Sequence, residues 1–313
     1  MPEYRFIQLD VFTKNAFSGN PLAVFPEAEG IEDALMQKIA REMNLSETVF
    51  VLPPTDKNAL RRLRIFTPAR ELPMAGHPVV GTWNLLAREG VVPQPEGGTG
   101  WTRINQEIGI GVLPVDVEFK DGEPAQVVMT QGAYEVRARV EGAHERAEIE
   151  RALGLAPEDF DESLPIEVVS TGIFFLVVPV NSLMALSRCR INSTLLSAIY
   201  TELGATGCCV FTREVREASN GSRAHMRMFA PGDNIPEDPA TGSCAGALSS
   251  YLVYHGALDM EETDGVFRFV IEQGDFIERP SRIHAEILGT QGAIEEVRVG
   301  GLSVVVAEGH LIF

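Results

Sequence analysis

The 313-residue sequence predicts an α+β protein of two similar, pseudo-symmetric domains, each a curved, β-barrel-like sheet around a central buried helix. Three observations predict it. The length favours two domains at roughly 100–200 residues each. Short β-rich segments recur in the same order in the two halves of the chain. Two helical patterns, one per half, carry small or apolar residues nearly all round, which only a helix enclosed on every side can tolerate.

The elements follow in order. Gly19-Asn-Pro-Leu-Ala-Val-Phe-Pro26 parallels Gly172-Ile-Phe-Phe-Leu-Val-Val-Pro179. Each is a glycine and an apolar run closed by proline, a loop entering a buried strand. Next, Ala34–Met43 parallels Thr194–Leu203. Leu35, Met36, Ile39 and Met43, like Leu195, Leu196, Ile199 and Leu203, fall at helical spacing, so both are amphipathic helices. Each runs into a strand, Thr48-Val-Phe-Val-Leu52 or Cys208-Cys-Val-Phe-Thr212. Arg64-Ile-Phe-Thr-Pro68 then parallels Arg227-Met-Phe-Ala-Pro231, and both lead to a glycine that opens a helix, Gly76 or Gly242. The helix 77–88 has Pro78 where a first turn accepts it and Gly90 just past its end, while the helix 243–255 is followed by Gly256. The Gly- and Glu-rich stretch near residues 120–132 marks the boundary. The domains are therefore placed at 1–125 and 126–313, with the last strand free to return to the first domain.

Composition removes several classes of function. Lys and Arg number 26 against 44 Asp and Glu, a net charge of −18. So acidic a surface repels phosphate backbones and anionic lipid, so neither nucleic acid nor membrane is an expected partner. The four cysteines, Cys189, Cys208, Cys209 and Cys244, form no C-x-x-C pair, and so few in so long a chain point to a reducing compartment. The first residues read as a strand and not as a signal peptide, and the longest apolar run, near 173–180, is too short to cross a bilayer. A soluble, cytoplasmic protein is expected. Rossmann, Walker A and G-x-S-x-G patterns are missing, and His77, His144, His225, His255, His284 and His310 show no metal-ligand spacing. Neither a nucleotide nor a metal is expected.

A buried helix N-terminus presents unpaired N–H groups and about half a positive charge. If a pseudo-two-fold relates the halves, the starts at Gly76 and Gly242 can share one cleft that suits a small carboxylate. The alternative is that each start is capped by its own Ser, Thr or Asp. Glu47 lies beside the first start, and its counterpart in the second half is Gly207. A carboxyl group on one side only suits a single general acid/base, although a turn or capping Glu reads the same way. His77 could donate to an anion or relay a proton, or be a satisfied structural residue. Asp238 could accept from a substrate amino or hydroxyl group, and Ser243 could donate to a carboxylate; both could equally cap the helix.

A set of motifs makes the reading specific. Asp10-Val-Phe, Phe17-Ser-Gly-Asn-Pro-Leu-Ala-Val24, Asn44-Leu-Ser-Glu-Thr48, Phe66-Thr-Pro68 and Ala75-Gly-His-Pro78 occur in the first half. Glu237-Asp-Pro-Ala-Thr-Gly-Ser243, Glu272-Gln-Gly274, Arg279-Pro-Ser281 and Val297-Arg-Val-Gly-Gly301 occur in the second. In this order and over nearly the whole chain they resemble the phenazine-biosynthesis PhzF-like family, whose fold is that of diaminopimelate epimerase. The resemblance implies a cofactor-independent isomerase, typically a homodimer, acting on a small carboxylate between its two domains. It implies Glu47 as acid/base, with His77 and Asp238 beside it. It places Asn20, Gly76, Gly242 and Ser243 at the substrate. The name-giving member isomerises a dihydro-hydroxyanthranilate in phenazine biosynthesis. Two-thiol epimerisation, as in the epimerase relatives, lacks its first cysteine here. A Glu47/Cys244 pair stays open, since a helix start stabilises a thiolate. So does a non-catalytic carboxylate-binding or interaction protein with the same fold.

Overall fold

Eighteen strands and six α-helices make up the chain in the computed structural model, which describes residues 3–312. The first ten elements are β1 (Glu3–Val11), β2 (Asn20–Phe25), α1 (Asp33–Met43), β3 (Glu47–Leu52), β4 (Arg61–Phe66), β5 (Glu71–Leu72), α2 (Gly76–Arg88), β6 (Gly100–Ile108), β7 (Gly111–Lys120) and β8 (Glu123–Thr130). Then come β9 (Glu135–Arg139), α3 (Ala143–Leu153), β10 (Glu167–Ser170), β11 (Phe174–Pro179), α4 (Leu183–Arg188), α5 (Ser193–Glu202) and β12 (Gly207–Thr212). The chain ends with β13 (Ser222–Ala230), β14 (Ile235–Asp238), α6 (Gly242–Tyr254), β15 (Val266–Gln273), β16 (Ser281–Thr290), β17 (Ala293–Gly301) and β18 (Ser303–Ile312). Two compact units result: the first runs to Thr130 and resumes at Gly300, and the second is Gln131–Val299.

Each unit is a sheet curved around its own helix. In the first, α2 packs against β1, β2, β3, β7, β8 and β18, which a flat sheet could not arrange. Every side chain from His77 to Ala87 is buried, as the all-round apolar pattern requires. Trp83 has no exposed surface, and its indole N–H donates to Gln106 Oε1 at 2.7 Å. On the outer face of the sheet, α1 covers Phe25, Phe50 and Phe66 with Met36, Ile39 and Ala40. Phe25 and Phe50 stack at 5.0 Å, and burying a side chain of that size contributes about 1.5–3 kcal/mol. The helix ends at Asn44, whose left-handed φ of 50° suits asparagine. In the second unit α6 packs against β10, β11, β15 and β16 in the same way. There α3, α4 and α5 cover a larger outer cluster that includes Leu153, Leu186, Leu196 and Tyr200.

The repeat seen in the sequence is a repeat of strand pairing. Leu22 lies opposite Glu47 in the parallel pair β2–β3, and Phe175 lies opposite Gly207 in the parallel pair β11–β12. Phe50 pairs with Arg64, and Val210 pairs with Arg227. In the parallel pairs β4–β6 and β13–β15, Arg62 faces Glu107 where His225 faces Glu272. Even an irregularity recurs. The register of β1 on β18 shifts between Gln8 and Leu9, and that of β10 on β9 shifts between Val168 and Val169.

This correspondence makes β9 the counterpart of β18: β18 runs antiparallel to β1, and β9 runs antiparallel to β10, the strand that corresponds to β1. The strand that ends the first repeat, β9, thus belongs to the second unit, and β18 belongs to the first. Among the described residues no helix is long and apolar enough to cross a membrane.

Candidate functional site

Glu47 is the first residue of β3, one turn past the left-handed Asn44 that closes α1. His77 is the second residue of α2. Their side chains meet: Glu47 Oε2 lies 3.2 Å from His77 Nε2, and only 12% and 6% of the two side chains are exposed. Burial pushes the His77 pKa down to about 3, so the imidazole is neutral across the physiological range. The positive end of α2 acts in the same direction. A neutral imidazole this weakly basic does not compete with an ordinary carboxylate for a proton. It can still donate a hydrogen bond to an ionised one.

The start of α2 has no side-chain cap, because its N-cap residue is Ala75. Gly76 opens the helix behind it. Asn20 is fully buried at the head of β2, opposite Val11. The loop before it is built on left-handed backbone at Phe12, Phe17 and Gly19. A Cβ at Gly19 would sit 2.2 Å from the Val11 carbonyl oxygen, so only glycine fits. The Asp10 carboxylate holds the loop by accepting from the Phe17 N–H at 2.6 Å.

The second unit places Asp238 at the end of β14, and Gly242 and Ser243 as the first residues of α6. Thr241 occupies the N-cap position, yet its hydroxyl turns away from the helix and donates to Asp238 Oδ2. The Gln131 side chain donates to the Gly242 carbonyl at 2.9 Å. Behind this turn lies Gln273, with no exposed surface. Its NH2 donates to the Asp238 carbonyl at 2.7 Å and to Thr241 Oγ1 at 3.1 Å. Its Oε1 accepts from the Thr241 N–H at 2.8 Å. Gly274 has φ +82°, and a Cβ there would meet the Arg279 and Pro239 carbonyl oxygens at 2.2 and 2.6 Å. Ser281 Oγ donates to the Pro239 carbonyl at 2.9 Å. The motifs Glu272–Gly274 and Arg279–Ser281 therefore form the bed on which the Asp238–Ser243 turn rests.

Cys244 answers one sequence-based alternative. It is the third residue of α6 but has no exposed surface, and burial pushes its thiol well above the usual range. Desolvation outweighs the helix dipole here, which favours a neutral core thiol over the thiolate that the Glu47/Cys244 alternative needs. All four cysteines are free and buried. Among the described residues no cluster of His, Cys, Asp or Glu is arranged to hold a metal ion.

Sequence reasoning missed Thr241, Gln273 and Gln131 as members of the site. The signal for the first was the repeat itself. Glu71-Leu-Pro-Met-Ala-Gly-His77 aligns with Glu237-Asp-Pro-Ala-Thr-Gly-Ser243 without a gap, so every polar difference between them could have been read directly.

Comparison with known proteins shows the family and the fold. The family described as PhzC-PhzF, phenazine biosynthesis-like protein, matches residues 9–309. The chain is 34% identical over 309 residues to the trans-2,3-dihydro-3-hydroxyanthranilate isomerase of Pseudomonas aeruginosa, covering 98% of this chain and 99% of the relative. The crystal structure of a phenazine biosynthesis protein of the PhzF family from Bacillus anthracis superposes with a TM-score of 0.87 at 26% identity, covering all of both chains. A hydroxyproline epimerase from Agrobacterium vitis shares the fold at a TM-score of 0.63 and 12% identity, over 99% of this chain and 91% of the other.

Proposed function

The chain belongs to the phenazine biosynthesis-like PhzC-PhzF family, and from that premise we propose that it is an isomerase that moves a proton within a small carboxylate substrate, with Glu47 as the one acid/base. The observation that carries this reading is the buried pair of Glu47 and a neutral His77 at the start of α2.

Glu47 takes a proton from carbon, and the substrate's unsaturation delocalises the electron pair. N–H groups at helix starts and neighbouring donors stabilise the developing charge. The same carboxyl group then returns the proton to a second carbon on the same face. His77 stays neutral throughout and is too weakly basic to take the captured proton from Glu47. The starts of α2 and α6 carry the N–H groups that suit the substrate carboxylate, and Asn20, Asp238 and Ser243 are the polar side chains proposed to bind the rest of it.

Single-base chemistry is supported by the counterpart position. Gly207 stands where Glu47 stands in the other repeat, and a Cβ there would come within 3.0 Å of the Phe229 carbonyl oxygen. Cys244 is neutral core and supplies no second base. The trans-2,3-dihydro-3-hydroxyanthranilate skeleton of the named relative, a cyclic unsaturated acid, is the first substrate to try.

The test is incorporation of solvent deuterium into that compound and into a panel of amino, hydroxy and cyclic unsaturated acids, followed by NMR. Exchange into one of them by the native chain, lost in Glu47→Gln, is the expected result. Binding of an acid with no exchange would make the protein a carboxylate binder.

A further inference from the structure

We propose that Thr241 and Gln273 are positioning residues for Asp238, a polar triad that holds this one carboxyl group as an oriented, ionised acceptor. The inference rests on the functional reading only in taking Asp238 to face the substrate.

The hydrogen bonds have a direction. A threonine hydroxyl has one proton and two lone pairs, and a primary amide has two N–H donors and one acceptor oxygen. Gln273 Oε1 is committed to the Thr241 N–H at 2.8 Å, which fixes the orientation of the amide. Its two N–H groups therefore point at the Asp238 carbonyl and at Thr241 Oγ1. With one lone pair of Oγ1 occupied, the hydroxyl proton is directed to Asp238 Oδ2. Donation to a carboxylate favours its ionised form. Of the titratable groups nearest in sequence, the Cys244 thiol is neutral, and Glu237 is held by Arg227 through two contacts of 2.9 and 2.7 Å.

The other repeat shows that the turn itself does not need this triad. Arg64 grips Glu71 through Nε and Nη2 at 2.8 and 2.7 Å, the same two atoms by which Arg227 grips Glu237. Ile65 faces Leu72 as Met228 faces Asp238. A Cβ at Gly109 would collide with Pro73, as one at Gly274 would with Pro239. The scaffold is thus repeated in these three contacts. The triad positions are Leu72, Ala75 and Ile108 in the first unit, all apolar. Three polar groups that appear together or not at all, on a turn that forms either way, serve each other and the carboxylate.

The experiment is a titration of the Asp238 carboxyl carbon by 13C NMR on the full chain without substrate. Thr241→Val and Gln273→Leu are expected to raise the Asp238 midpoint by about one unit, while Thr241→Ser keeps it. The double variant Thr241→Ala/Gln273→Ile, copied from the first unit, is expected to fold cooperatively and to show the raised midpoint. An Asp238 midpoint unmoved by Thr241→Val and Gln273→Leu overturns the proposal, as does unfolding of the double variant. Because no substrate is present, a native chain that exchanges no proton on any acid would overturn the functional reading and leave this one standing.

Discussion

Glu47 Oε2 and His77 Nε2 face each other at 3.2 Å, a carboxyl group from the head of a strand against an imidazole from the first turn of a helix. In the proposed reaction Glu47 carries the proton and His77 is the neutral group beside it. Glu47→Gln preserves size and hydrogen bonding but cannot accept a proton from carbon. Turnover should fall by roughly 10²–10⁴-fold while ligand binding, read by calorimetry, stays within a few-fold.

His77 makes stability depend on acid. Its pKa is about 3 in the folded chain and 6.5 when exposed, so the unfolded state binds the extra proton between those values. The stabilisation is complete above pH 6.5 and declines as pH falls toward 3. Urea midpoints measured at pH 7, 5.5 and 4.5 should decline faster for the native chain than for His77→Asn.

A second group acts in a lower window. Burial alone would raise the Glu272 pKa. Its hydrogen bonds to His225 and to the Arg216 and Glu217 N–H groups, with Arg282 nearby, hold it at about 2 instead of 4.5. Stability from this group is present above pH 4.5 and is lost as pH falls toward 2. Glu272→Gln should flatten that limb of the acid denaturation curve. It should also cost about 1–3 kcal/mol at pH 7, because an amide NH2 then faces donors.

Gly274→Ala has no conformation to adopt, since φ is +82° and two carbonyl oxygens occupy the space of a Cβ. A loss of about 1–3 kcal/mol in denaturant unfolding is expected. Asp238-dependent binding should weaken with it, because Pro239 lies in the way.

Cys244→Ala removes a neutral buried thiol and no chemistry. Deuterium incorporation should persist at native levels per folded molecule. Its abolition would put sulfur back in the reaction.

Much of this is legible in the amino-acid sequence. The equivalence of Glu47 with Gly207, inferred from recurring segments, is reproduced by the strand register opposite Leu22 and Phe175. The two enclosed helices could be read from residues 77–88 and 243–255 because apolar residues on every face admit one environment. What could not be read were contacts closed by distant strands. Gln273 reaches Thr241 from 32 residues further along the chain, and Asp238 looked like a helix cap because the true partner of its carboxylate, a hydroxyl three residues on, has the same local signature. Cys244 misled because a helix start is local information and complete burial is not.

The strand that completes the first unit leaves the ribosome after the whole second unit. All of Gln131–Val299 emerges before Ser303–Ile312 can pair with Glu3–Val11, so the half whose synthesis begins first is finished last. Until then β1 keeps one edge bare, and a premature stop codon before Ser303 would damage the beginning of the protein and not its end.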